Sequence, residues 1–209
     1  MELATSSNLS TLLSFALTSL IIELTPGPNM TYLALVSASE GRRAGFATVA
    51  GIALGLAVLG GVAALGVTEL IQASNLLYDG LRWAGVLFLL YLAWEGWAGR
   101  SEAVANDAGA DRRYFTRGLL TNLLNPKAAI FYVAVLPTFI VADHPVLAQT
   151  ITLTAIYVAV ATGIHALIVV LASRLEPLLN DTRIEGIARR ALSALLAAVA
   201  IWFAFSTAR

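Results

Sequence analysis

Residues 21–30 read IIELTPGPNM. A chain that is mostly apolar from Leu12 onward meets a carboxylate, Glu23, and then two prolines, Pro26 and Pro28, before apolar chain resumes as far as Val36. Proline has no N–H to give the carbonyl four residues back, so Pro26 frees the Ile22 carbonyl and Pro28 frees that of Leu24. The residue before a proline avoids the α region, which pushes Thr25 and Gly27 toward extended backbone. Thr25-Pro26 then reads as an N-cap followed by proline at the first helical position, the start of a new helix. The stretch predicts an apolar helix that stops and restarts partway through a bilayer.

Composition agrees with a bilayer. Of 209 residues, 58% are hydrophobic and 12% charged, with a mean hydropathy of +0.79, too little charge to cover a soluble domain of this size. Formal net charge is zero, which gives no reason to expect a nucleic acid or any strongly charged partner. The absence of cysteine excludes disulfides, thiol redox chemistry and thiolate metal sites. No cofactor and no metal site is expected. The N-terminus, MELATSSNLS, has no basic region and no small-residue cleavage site before the apolar chain, and reads as retained.

A hydrocarbon core of about 30 Å takes roughly 20 apolar residues in helix. Six segments qualify, near 9–38, 45–67, 76–97, 115–140, 146–172 and 188–207. The expected fold is therefore all-α: a polytopic membrane protein of six transmembrane helices, with 98–114 and 173–187 as polar loops. Arg42 and Arg43, the group Arg100, Arg112, Arg113 and Arg117, and the group Arg174, Arg183, Arg189 and Arg190 mark alternate loops. The segments 68–75 and 141–145 hold no lysine or arginine. The positive-inside rule then places loops one, three and five in the cytoplasm and both termini outside.

The chain also repeats itself. TPGPNMTYLALV (25–36) lies over NPKAAIFYVAVL (125–136), placing Pro26 on Pro126, Tyr32 on Tyr132 and Ala34 on Ala134. Each copy opens a block of three spans, and an odd number of spans gives the two blocks opposite orientations. The expectation is one transporter domain over 1–209, an inverted 3+3 repeat with halves near 9–97 and 115–207. Spans one and four are broken by proline, and sites in such folds lie near the midplane between the copies.

Broken helices present free N–H groups and a positive dipole end, which suit a carboxylate. Lys127 adds a full positive charge inside the second restart, and Glu23 supplies the opposite sign before the first. Intramembrane charges need a partner or a function. An amino acid offers both charges on adjacent groups, its carboxylate for Lys127 and the helix ends, its ammonium for Glu23. The alternative is a structural ion pair between Glu23 and Lys127. Asn125 is expected as a helix cap, and Asn122 either satisfies a freed carbonyl or faces substrate. His165, alone in span five, is either a proton relay or a buried hydrogen-bonding residue, and Glu23 is the other candidate for carrying the coupling proton. Gly51-x-x-x-Gly55 reads as close helix packing, and Glu95, near the end of span three, is assigned no role.

LTPGPNM (24–30), GRRAGFATVAGIALGL (41–56), LRWAGVLFLLYLAW (81–94) and RGLLTNLLNPKAAIFYVAVLP (117–137), in this order, resemble the lysine exporter (LysE/RhtB) family of amino-acid efflux permeases. The resemblance runs over roughly 20–200. It implies a multi-pass inner-membrane secondary transporter exporting amino acids or close derivatives, driven by the proton gradient. The family's proline-broken motif falls on Pro26, Gly27, Pro28 and Asn29, and its second signature on Asn125, Pro126 and Lys127. Leu56 stands where many members carry a polar or acidic residue. The expected partners are an amino-acid-like small molecule, the proton and the lipid bilayer, with the chain acting either as a monomer or as a homodimer. An exporter of another solute or of a metal ion, and a membrane-embedded enzyme, are the competing readings. Two histidines and no cysteine speak against both.

Overall fold

The computed structural model describes residues 2–25, 27–65, 75–98, 108–141, 144–174 and 182–206. Among these residues there are eight α-helices and no strand. They are α1 (Glu2–Leu24), α2 (Pro28–Ser39), α3 (Gly41–Ala64), α4 (Asn75–Trp97), α5 (Ala108–Leu123), α6 (Pro126–Ile130), α7 (Val146–Ala172) and α8 (Thr182–Ser206). Past α6 the chain continues as a π-helical turn, Phe131–Val135, and a 3₁₀ turn, Leu136–Phe139.

The helices α3 and α7, of 24 and 27 residues, are long and apolar enough to cross a membrane, since each spans about 35–40 Å at 1.5 Å per residue. Two further candidates are bent pairs. Residues 9–24 and 28–39 meet at 61°, and residues 109–123 and 127–139 at 52°. The bends fall at the two proline-bearing stretches expected from sequence, and α4 and α8 contribute shorter apolar stretches, Trp83–Glu95 and Arg190–Trp202.

Helix ends depart from the expected spans in one direction. The helix α3 starts at Gly41 rather than near 45, α5 at Ala108 rather than near 115, and α8 at Thr182 rather than near 188. Part of the expected polar loops 98–114 and 173–187 is thus helical. Apolar windows mark only the hydrocarbon-spanning part of a helix, whereas backbone hydrogen bonding carries on through polar turns such as Asp111 to Thr116. The remainder of those loops, 99–107 and 175–181, and all of 66–74 lie outside the described residues.

Leu9, Leu13, Leu17, Ile21 and Leu24 are exposed along α1, while Phe15, Ser19 and Glu23 are buried at four-residue spacing. The helix therefore turns one apolar stripe outward and a mixed stripe inward. In α7 the inward stripe is Thr150, Leu153, Tyr157, Ala161, His165 and Val169. These two stripes face each other, since α1 packs on α7. The helix α3 packs along α5, where a Cβ on Gly51 would fall on the Phe115 carbonyl and one on Gly118 on that of Thr48. The GxxxG stretch is a close helix crossing, as expected. A Cβ on Gly55 would lie 2.7 Å from Asn122 Nδ2, so that crossing also seats Asn122 in the interior. Glu95, expected to have no role, takes Arg117 at 2.7 Å with both side chains largely buried. That pair ties the end of α4 to α5.

Candidate functional site

The site is built from the two helix breaks and the inward face of α7. At the second break Asn125 sits in extended backbone (φ −85°, ψ 108°), and its Oδ1 accepts the Lys127 N–H at 3.0 Å. Asn125 is the N-cap and Pro126 the first helical residue, as expected. The Asn122 carbonyl freed by Pro126 accepts instead from the Asn125 N–H at 3.0 Å.

The first break is built differently. Thr25 is not a cap: its Oγ1 donates back to the Ile21 carbonyl at 3.3 Å, and α2 begins only at Pro28 with Gly27 as N-cap and no side-chain cap. The second proline explains the correction. Pro28 forces Gly27 into extended backbone (φ −155°, ψ 178°), so the first helical position moves from 26 to 28. Pro26 itself lies outside the described residues. The Ile22 carbonyl is met by the Thr25 N–H at 3.1 Å, the same short turn that closes on Asn122.

Lys127 crosses from one break to the other. Its Nζ donates to the Thr25 carbonyl at 2.8 Å, placing a cation on a carbonyl just past the end of α1. Gly27 makes room for it: a Cβ there would lie 3.3 Å from Lys127 Cδ. Asn29 Nδ2 donates to Asn122 Oδ1 at 2.8 Å, a second link between the breaks. The remaining amide atoms of that pair, Asn29 Oδ1 and Asn122 Nδ2, are buried without a hydrogen-bond partner.

Glu23 is 5% exposed. Its Oε1 accepts the Tyr157 hydroxyl at 2.7 Å, and its Oε2 lies 3.6 Å from His165 Nε2. Both His165 ring nitrogens are buried without a hydrogen-bond partner. Glu23 and Lys127 form no direct ion pair, because Tyr157 and the Thr25 carbonyl hold them apart. Instead the two charges line one small cavity of about 10 Å³ with Gly27, Asn29, Asn125 and Tyr157, room for about one water. Phe131 stacks on Tyr157 at 3.7 Å between ring centroids, and Phe15 and Tyr132 pack edge-on against Phe131. Tyr157 thus ties Glu23 to an aromatic cluster.

The structure thus gathers Glu23, Gly27, Asn29, Asn125 and Lys127 around one cavity, with Asn122 and His165 one contact away. Thr25 contributes its carbonyl rather than its hydroxyl. Tyr157 was missed from sequence. Its spacing of eight residues from His165 on one helix face was the available signal, since both project from the same side of α7.

The LysE type translocator family model matches residues 20–207. The chain belongs to that family. Its members are translocators rather than enzymes, and with its apolar helices the chain is a multi-pass membrane protein. It is 32% identical over 143 residues to a homoserine/homoserine lactone efflux protein of Salmonella typhimurium, covering 67% of this chain and 69% of the relative. The same identity and coverage hold for the homoserine/homoserine lactone efflux protein of Salmonella typhi. No solved structure matches.

Proposed function

We propose that this translocator exports amino acids or close derivatives from the cytoplasm across the cell (inner) membrane in exchange for protons. The carrying observation is the pair of opposite charges, Glu23 and Lys127, lining one small cavity at the meeting of two helix breaks. A zwitterion satisfies both at once: carboxylate to the Lys127 ammonium, ammonium to Glu23. Neutral amino-acid derivatives such as homoserine, which the relatives' names specify, fall within this class.

Proton exchange follows from the same carboxylate. A proton on Glu23 and a substrate ammonium compete for one site, so each excludes the other, which is what antiport requires. Tyr157 fixes the carboxylate, and His165, 3.6 Å away with both nitrogens unpartnered, is placed to take the proton when the ammonium arrives.

Six spans in an inverted 3+3 repeat are the architecture in which this site works. Three features support it. The short turns at Ile22–Thr25 and Asn122–Asn125 match at an offset of one hundred residues. The contacts of α1 with α7 are mirrored by those of α5 with α3, and α3–α7 and α4–α8 pack as self-related pairs. With 23 and 25 residues, α4 and α8 are long enough to span. Single cysteines at 107 and 181, outside the described residues, should be shielded from an impermeant thiol reagent on intact spheroplasts, and one at 143 should label. Labelling at 107 would overturn the inverted topology.

The functional test is efflux of homoserine from proteoliposomes with and without an imposed pH gradient. Efflux accelerated by inward proton flow, and counter-movement of protons, are expected. Glu23→Gln keeps the Tyr157 contact and loses the titration, so gradient stimulation should vanish while substrate exchange continues. Full gradient stimulation in Glu23→Gln would remove the carboxylate from the coupling step.

A further inference from the structure

We infer that a second cavity beside Lys127 is the subsite for the substrate's side chain, and that it selects neutral amino acids with apolar side chains over basic and acidic ones. This rests on the exporter reading above. The charged cavity, at about 10 Å³, has room for about one water, so nearly all of a bound amino acid must lie outside it. The adjoining space is a groove of about 280 Å³ between Ile22, Ile130, Phe131, Val135 and Trp202, with Thr25 and Lys127 at its edge. Lys127 borders both spaces, so a carboxylate bound there has its ammonium directed toward Glu23 and its side chain toward the groove.

The walls decide the class. Apart from Thr25 and Lys127 they are aliphatic and aromatic, so an apolar side chain gains by leaving water. A basic side chain would bring a second cation beside Lys127 into walls that offer it no anion. An acidic one would leave a carboxylate against Trp202 and Val135 with no donor. A lipid acyl chain fits the walls but leaves the Lys127 ammonium facing hydrocarbon with no anion, which an amino acid's own carboxylate supplies. Trp202 is 57% exposed on the outer edge of the groove, where it sets the limit on side-chain length.

The test uses exchange of homoserine, leucine, phenylalanine, lysine and glutamate in proteoliposomes. The expected result is leucine exceeding lysine and glutamate by about tenfold or more in kcat/KM. Val135→Trp, which fills the groove, should lower leucine and phenylalanine by about tenfold and homoserine by no more than about twofold. Trp202→Ala, a truncation at the outer edge of the groove, should raise phenylalanine relative to leucine. Trp202→Cys introduces the single thiol in a chain without cysteine. It should be labelled by a membrane-permeant maleimide and protected by leucine but not by lysine. Equal loss of homoserine and leucine in Val135→Trp, equal transport of lysine and leucine, or no protection of that thiol by leucine would each overturn the subsite. So would a spontaneous disulfide between two copies of the Trp202→Cys variant, which would assign the groove to a dimer contact. Failure of wild-type protein to move homoserine or any other amino acid would instead remove the exporter reading itself.

Discussion

The two helix breaks begin from the same chemistry and end in different structures. Each has a proline after a polar residue, and each closes the preceding turn through an N–H to the carbonyl three residues back. The second break then caps itself through Asn125. The first has no side-chain cap and draws its cation from the other half of the chain, through Lys127 on the Thr25 carbonyl. The aligned positions 27 and 127 complement each other: glycine leaves a space that lysine fills. Beyond the breaks the order reverses. The helix α2 runs regularly for 12 residues, whereas α6 lasts five and passes into π and 3₁₀ turns, where Pro137 withholds another N–H. One break thus gives support and the other receives it.

Removing the shared cation should have the largest effect. Lys127→Met takes away the donor to Thr25 and the cation proposed to meet the substrate's carboxylate, and truncation of one member of a hydrogen-bonded charge pair costs about 2–5 kcal/mol. Exchange of every accepted amino acid should fall by at least about thirtyfold, measured as kcat/KM in proteoliposomes. The double variant Glu23→Gln/Lys127→Met should stay equally inactive while remaining folded. Recovery of transport in the double variant would make the two charges a structural pair.

Replacing Pro26 and Pro28 together by alanine comes next. Alanine restores the missing donors and favours helix, so the first break should straighten, expression should survive, and exchange should fall by about tenfold or more. Near-normal exchange would mean that the bend at the first break is not required for binding.

Capping gives the smallest effect and the sharpest contrast between the breaks. Asn125→Ala removes an N-cap and should cost about 1 kcal/mol of stability, read as a lower unfolding midpoint in detergent. Thr25→Ala removes only a long hydroxyl bond to its own helix and should cost a few tenths of a kcal/mol at most. Equal losses would mean that the two caps are alike after all.

What was legible from sequence was local. Proline's missing N–H acts within four residues, so both breaks and the Asn125 cap follow from reading along the chain. Thr25 was misplaced because two prolines compete for one helix start, and only the fold shows that Pro28 wins. The partners of Glu23 were harder. Tyr157 reaches it from 134 residues away, and nothing in the neighbourhood of either residue announces the other. Likewise the sequence placed Glu23 and Lys127 as a candidate ion pair, while the packing of α7 gives Glu23 a tyrosine and the turn at Thr25 gives Lys127 a carbonyl.

The glycines at the α3–α5 crossing bear on how the protein can be handled outside a membrane. At Gly51 and Gly118 even a methyl group would collide with backbone of the facing helix, so these positions tolerate no thermostabilising substitution. A methyl group on Gly61, Gly163 or Gly186 would meet nothing within 4 Å, and each of these glycines lies inside a helix. Alanine at such sites gains about 0.5–1 kcal/mol of helix stability apiece. A triple Gly→Ala variant at these three positions is therefore a rational starting material for purification in detergent, with the breaks and their charges left untouched.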